Sequence, residues 1–274
     1  MLTVADFYSN RPFTPDKEAA FFKTLRLANG SAKTTADSRM DDLNALIASC
    51  WRDKTFRPTE ILDVGVSSGI TTAEWLDQLS AAGFKVRIIG VDLALRANIV
   101  PLWPGAYAIE RDGHVLGHII FGVPIRTWRR RRDYATGYAV ISALASKIAR
   151  RHSRRTRAPQ SLLLISPRAL RHEGIEWVED DVLAPNPERF IRRFDAIRAA
   201  NLLICGRFDT NQLQRAVANL KERLTGPGAR LIVNRTLKHG SNHATMFRLT
   251  DANCFEAEAR LGEGSEIEDI VLRA

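Results

Sequence analysis

Cysteine is scarce in this sequence. Cys50, Cys205 and Cys254 are the only three, far apart and without C-x-x-C spacing. That pattern excludes a disulfide framework or a thiolate zinc site and predicts reduced, buried thiols of a cytoplasmic protein. No cluster of Cys and His has metal-ligand spacing, so no metal site is expected. No uncharged apolar run approaches the roughly 20 residues that cross a bilayer. The start, Met1 to Tyr8, lacks a basic segment followed by an apolar one, so no secretory signal is read. A nucleophile elbow G-x-S-x-G is missing, as are the G-x-G-x-x-G of a dinucleotide site and the Lys-Ser/Thr of a phosphate loop.

What is present is a chain of 274 residues, 45% hydrophobic and 26% charged, the balance of a folded globular protein rather than a disordered one. The stretch Glu60-Ile-Leu-Asp63-Val-Gly65-Val66-Ser67-Ser68-Gly69-Ile-Thr71 reads as a buried strand, a turn free of side-chain obstruction and the first turn of a helix. Such a helix start aims unpaired N–H groups at a carboxylate or phosphate over the turn. An acid just before the turn suits a ligand carrying an ammonium group. The segment resembles motif I of the class I S-adenosylmethionine-dependent methyltransferases.

The second strand, Lys85 to Asp92, ends in an acid 23 residues after Gly69, where βαβ nucleotide sites place a carboxylate against the ribose hydroxyls. Ile175 to Val182 runs into Asp180-Asp181, and Phe194 to Asn201 reads as strand four with Asn201 at its tip. A helix from Thr210 follows, with Leu213, Val217, Leu220 and Leu224 on one face. Arg230 to Asn234 is strand five, and the tail, with Ala244 to Leu249, Phe255 to Leu261 and Ile267 to Leu272, reads as an antiparallel pair or trio. The predicted fold is α/β, a doubly wound, mostly parallel seven-stranded sheet with an antiparallel C-terminal edge. Two helices, one capped by Thr14 and Pro15 and one by a Ser38-x-x-Asp41 box, are expected to form an N-terminal helical cap over residues 1–55. The nucleotide-binding domain then covers 56–274.

Residues 94–161 interrupt that domain and far exceed an ordinary βα connection. They contain a hairpin around Asp112-Gly113, an Arg-rich run from Arg129 to Arg132, and a basic amphipathic helix from about Tyr134 to Ile148. Between Arg126 and Arg157 eleven Lys/Arg stand against a single acid, Asp133, so the net charge of +9 is one local feature. Three readings compete: a solvated face; an RNA surface with Trp128 and Tyr134 for stacking; and a peripheral anionic-membrane surface. The last is favoured, because apolar helix residues and arginines reinforce each other there.

The resemblance to class I methyltransferases covers about 60–235 without the insertion. It implies S-adenosyl-L-methionine as cofactor. Asp63, Gly65, Val66, Ser67, Ser68, Gly69 and Thr71 then match motif I; Asp92 and Leu93 the ribose-binding end; Asp181 and Val182 the adenine-contacting pair, with Asp180 as competitor; and Asn201 the motif that approaches the methyl group. The Asn/Asp-Pro-Pro-Tyr/Phe signature of amino-methylating nucleic-acid enzymes is missing. Positioning alone lowers a methyl-transfer barrier substantially, so no universal catalytic residue is demanded. His114, His118, Tyr134, Glu179, His239 and His243 stand equally as candidates for a general base. With the basic insertion over the site, the expected acceptor is an anionic or lipid-like small molecule, and the expected location is cytoplasmic, at the inner membrane face. RNA methylation and cofactor binding without turnover are the alternatives.

Overall fold

The computed structural model describes residues 3–4, 14–33, 36–128, 131–153 and 160–274, the side chain of Arg132 excepted. Arg129, Arg130, Arg154, Arg155 and Arg157 of the basic stretch lie outside the described residues. In chain order the elements are α1 (Pro15–Thr24), α2 (Asp41–Asp53), β1 (Glu60–Val64), α3 (Ile70–Ala81), β2 (Arg87–Asp92) and β3 (Arg96–Trp103). Next come β4 (Ala106–Arg111), β5 (His114–Ile120), β6 (Val123–Arg126), α4 (Arg131–Ala135), α5 (Tyr138–Ser153) and β7 (Gln160–Leu163). The chain closes with β8 (Ile175–Glu179), β9 (Ala196–Ala200), α6 (Thr210–Arg223), β10 (Arg230–Thr236), β11 (Asn242–Leu249), β12 (Phe255–Leu261) and α7 (Glu268–Leu272).

These elements form two compact units, Asp37–Leu93 with His172–Ala274, and Met1–Ala36 with Ala94–Arg171. The larger unit holds the expected seven-stranded sheet, ordered β8-β2-β1-β9-β10-β11-β12. The first five strands are parallel and the last two antiparallel. Counted within this sheet the order is third, second, first, fourth, fifth. The chain therefore reverses its direction of travel between β1 and β9, and the crevice of a doubly wound sheet opens at that point, outside the strand ends. One face buries Leu62, Val64, Ile197, Leu231 and Val233 against Leu213, Val217 and Leu220 of α6. A side chain of that size, fully buried, contributes about 1.5–3 kcal/mol, and Asp209 closes the helix start with a capping box to Gln212. On the other face α2 and α3 bring Trp51 against Trp75, Phe56 and Phe84 at ring distances of 6.1, 5.5 and 5.7 Å.

The smaller unit is a five-stranded antiparallel sheet ordered β6-β5-β4-β3-β7. Its hairpin turn falls at Asp112-Gly113 as expected, with φ of 51° and 79°, the mirror-image turn that matches strand twist. Phe21, Phe22 and Leu25 pack on one face with Ile99, Ile109, Leu116 and Leu162. On the other, Val100, Ala108 and Val115 meet Ala149 of α5.

Several expectations need correction. The insertion contains the expected hairpin and a helix but is larger than the two: β3 and β6 join the hairpin to make a sheet, and β7 pairs antiparallel with β3, so the boundary expected at 161 falls inside a strand. The helices expected as one cap over 1–55 divide, α1 with the smaller unit and α2 with the larger. Ser38 does not cap α2; it has a left-handed φ of 56°, and its N–H donates to Glu74. The helix expected from Tyr134 to Ile148 breaks at Gly137, whose φ of 72° ends α4 before α5 begins. Ile267 to Leu272 forms a helical turn, because Ile267 and Val271 at i,i+4 spacing both enter the core. The cysteines are free, but Cys205 and Cys254 are exposed rather than buried.

Candidate functional site

Three residues of the Gly65–Gly69 turn lie in the left-handed region: Gly65 at φ 80°, Ser67 at 57° and Gly69 at 82°. Glycine adopts this backbone without strain, whereas a serine needs its surroundings to hold it there. The hold on Ser67 is visible: its N–H donates to Asp92 Oδ2 at 2.7 Å. The N–H groups of Gly65 and Val66 donate to the Val91 carbonyl at 2.8 and 3.2 Å, locking the turn to the end of β2. Gly69 then starts α3, and no side chain caps it. The first-turn N–H groups and the positive end of the helix dipole are thus left at the carboxyl edge of β1.

The neighbouring strand ends meet this turn. Asp180 N–H donates to the Asp92 carbonyl at 3.1 Å. A Cβ placed on Gly65 would lie 3.4 Å from the Leu202 side chain, so the loop after β9 packs directly on the turn. Gly65–Gly69, Asp92, the Asp180 backbone and the 201–202 loop therefore form one contiguous rim at the reversal point.

Their side chains do not all face it. Asp63 is 2% exposed and points toward α2 and α3. Its register partner on β9 is Arg198, which donates to Oδ1 from Nε at 2.9 Å and to Oδ2 from Nη2 at 2.6 Å. Thr72 Oγ1 adds a third donor at 2.6 Å. Arg198 also donates to Asn44 Oδ1 and to the Thr71 carbonyl, and its guanidinium lies 4.0 Å over the Trp75 ring. The expectation that Asp63 meets an ammonium group is corrected here: its carboxylate already neutralises a buried arginine.

Asn201 is also committed. Its Oδ1 accepts from Thr236 N–H at 2.7 Å and its Nδ2 donates to Thr236 Oγ1 at 3.1 Å, tying the end of β9 to that of β10. Thr236 Oγ1 and Asn234 Nδ2 both donate to Asn242 Oδ1, and Asn242 Nδ2 donates to Asp42 Oδ1. Asn201 thus serves a clasp rather than presenting its amide to a methyl group. Of the two competing acids, Asp180 pairs with the buried Arg223 at 2.7 Å, while Asp181 is exposed and its carboxylate accepts the local Leu183 N–H. Val182 is in the core, Leu93 is 46% exposed, Ser68 is buried and Thr71 half-buried.

The six candidate bases are scattered. His118 lies buried in the smaller unit, Nε2 at 3.4 Å from Ser146 Oγ, and burial pushes its imidazole below the usual range, toward the neutral form. His114 and Tyr134 are in the same unit. In the larger unit His239 pairs with Ser241 in a turn, His243 takes the Glu263 N–H, and Glu179 ends β8 exposed. Among the described residues no three His, Cys, Asp or Glu are grouped to hold a metal ion.

The basic stretch is less uniform than its composition. Arg126 is bound bidentately by Asp133, both contacts at 2.7 Å, and this pairing holds its guanidinium above the usual range. The Trp128 ring, expected to stack on bases, already carries two cation contacts, from Arg126 at 4.8 Å and Arg26 at 5.4 Å. Sequence reasoning missed Arg198, Thr72, Arg223 and Thr236. A signal for the first existed: an arginine inside Ala196-Ile-Arg-Ala-Ala200 must find a buried acid, and Asp63 is the one on β1.

No known family's sequence profile matches this chain, and no curated protein matches it in sequence. Solved structures similar in shape include the N-methyltransferase NodS from Bradyrhizobium japonicum WM9 in complex with S-adenosyl-L-homocysteine. It is 14% identical at TM-score 0.37, over 80% of this chain and 72% of that one. Another is S-adenosylmethionine-bound CalS10 from Micromonospora echinaspora, an amino pentose methyltransferase, at 15%, TM-score 0.36, and 78% and 65% of the two chains. A third is the CMeT domain of the citrinin polyketide synthase, at 15% and TM-score 0.34, over 65% of this chain; this chain spans 28% of that one.

Proposed function

We propose that this chain binds S-adenosylmethionine at the Gly65–Gly69 rim and transfers its methyl group to an anionic or lipid-like small molecule. The observation that carries the reading is the bond from Ser67 N–H to Asp92 Oδ2 within a left-handed turn at the sheet's reversal point. It fixes a strand-end carboxylate beside a glycine turn that leads into a helix start with no side-chain cap. That donor and acceptor set suits a ligand with a diol at one end and a carboxylate at the other.

In this reading Asp92 accepts the ribose hydroxyls, the first N–H groups of α3 take the amino-acid carboxylate, and Asp181 with Leu93 borders the adenine. The cofactor supplies an activated methyl on a sulfonium. The protein's part is to hold donor and acceptor in line and to exclude water, which can remove on the order of 7 kcal/mol or more from the barrier. Asp63 contributes by fixing Arg198, and through it α2 and α3, rather than by touching the cofactor.

A second reading, binding without turnover, is favoured by one observation: both Asp63 and Asn201, expected to face the methionine end, are committed elsewhere. Isothermal calorimetry with S-adenosylmethionine and S-adenosylhomocysteine tests the shared claim. Binding is expected for the native chain, weakened about tenfold to a hundredfold by Asp92→Asn, the loss of hydrogen bonds to a charged group. A folded protein that releases no heat with either ligand sinks both readings. Release of S-adenosylhomocysteine in the presence of anionic lipids or small acids separates the enzyme from the binding module.

A further inference from the structure

The helix α5 is amphipathic in an unusual sense: its inward side is small and its outward side is large. Ala139, Ser142 and Ala149 are buried, which lets the helix lie close to β3 and β4. Val140, Ile141 and Leu144 are 72, 68 and 58% exposed. At i, i+1 and i+4 they share one side of the helix, away from the sheet. The cations continue from this stripe: Lys147 is one turn beyond Leu144, and Arg150 and Arg151 stand in the last turn. None of these three has an acidic partner among the described residues. On the flank of α5 a cleft of about 710 Å³ is lined by Arg26, Ser142, Ser146, Lys147 and Arg150, with no acidic residue in its lining.

We infer that this face of α5 docks on an anionic lipid bilayer, the Val140–Leu144 stripe entering the interface while Lys147, Arg150 and Arg151 engage headgroup phosphates. Charge complementarity selects the occupant. An aliphatic stripe gives nothing to the bases or phosphates of RNA, and the Trp128 ring is already in contact with two arginines. A second copy of the chain would bring like cations of both copies onto one interface. A bilayer with anionic headgroups satisfies both halves of the face at once, since apolar burial and electrostatic attraction add. No described helix is long and apolar enough to cross a membrane, so the contact is one of lying on the surface.

The test is co-sedimentation of the full chain, without cofactor, with mixed phosphatidylglycerol–phosphatidylcholine vesicles and with phosphatidylcholine vesicles alone. Partition into the anionic vesicles only is expected, decreasing with salt. Lys147→Gln, Arg150→Gln and Arg151→Gln should each weaken it about fivefold, and together roughly a hundredfold. Leu144→Ser with Val140→Ser should weaken it at least about tenfold at unchanged charge. All five positions are exposed or on the outer side of the helix, so circular dichroism and thermal unfolding should match the native chain. The inference falls if anionic vesicles are not bound, if neutral ones bind equally, or if the serine variants bind unchanged. It also falls if the chain retains single-stranded RNA instead of vesicles, or forms a dimer that Leu144→Ser dissolves. None of these outcomes depends on the methyltransferase reading, because no cofactor is present in the assay.

Discussion

Arg198 is the residue whose role least resembles its exposure class. It is fully buried, flanked along its strand by alanines and an isoleucine, and held by five contacts from Asp63, Asn44, Thr71 and Trp75. Taking an ion pair out of water costs more than the pair's attraction returns, unless hydrogen bonds complete the set. Here they do. Arg198→Met should therefore leave the buried Asp63 carboxyl served only by Thr72, lowering stability in urea denaturation by about 3–5 kcal/mol. Arg198→Met combined with Asp63→Leu should recover most of that loss. The double variant should also keep its heat of binding with S-adenosylmethionine, whereas a cofactor-contacting Asp63 would lose it. At this scale the sequence was partly legible. Gly65, Gly69 and Asp92 could be placed because backbone freedom and a strand-end acid are local properties. The inward turn of Asp63 was not, since it depends on which residue the neighbouring strand sets opposite.

Secondary elements were legible where one pattern dominated. The apolar residues of β1, β2 and β9, broken only by Asp63 in β1 and Arg198 in β9 between the strand ends, mark strands buried on both faces, and the Asp112-Gly113 turn marks a hairpin. β3 and β6 were hidden by Pro101 and Pro124, which argue against a central strand. The structure resolves the conflict by position. Pro124 sits on the edge strand β6, and Pro101 lies beyond the Arg96–Ile99 stretch that pairs with β7. The short α7 is held by a tie between elements: Glu268 accepts from Arg260 on β12 and from Thr245 on β11 at 2.7 Å. The Arg260 hydrogen bonds come first among the causes that lower the Glu268 carboxyl from its ordinary value. A group so lowered adds stability that is present above the unfolded value of about 4.3 and is lost as pH falls through the folded one. Urea midpoints measured from neutral to acid pH should thus decline below that point, and the decline should be shallower in Glu268→Gln. An unchanged slope would mean that α7 is held by Ile267 and Val271 alone.

At the scale of the whole molecule, the composition located the basic insertion but not its architecture. A net charge confined to one stretch is visible by counting, whereas a second sheet requires pairing between β3 and β7, about sixty residues apart in the chain. The parallel neighbours β2 and β8 need a crossover of a dozen or more residues, and here the whole of Ala94–Arg171 serves as that connection. Each unit has a hydrophobic cluster of its own. Every residue assigned to the cofactor rim, from Gly65 through Leu202, belongs to the larger unit, and the lipid-facing helix α5 to the smaller. The two functions should therefore be separable. A chain that starts at Asp37 and replaces Ala94–Arg171 with a helical linker of roughly a dozen residues keeps the seven-stranded sheet, α2, α3 and α6. It should unfold in one cooperative step, retain the heat of S-adenosylmethionine binding, and lose all partition into anionic vesicles. If it folds but no longer binds the cofactor, residues of the smaller unit complete the site. If it binds vesicles as well as the full chain does, the docking face is not on α5.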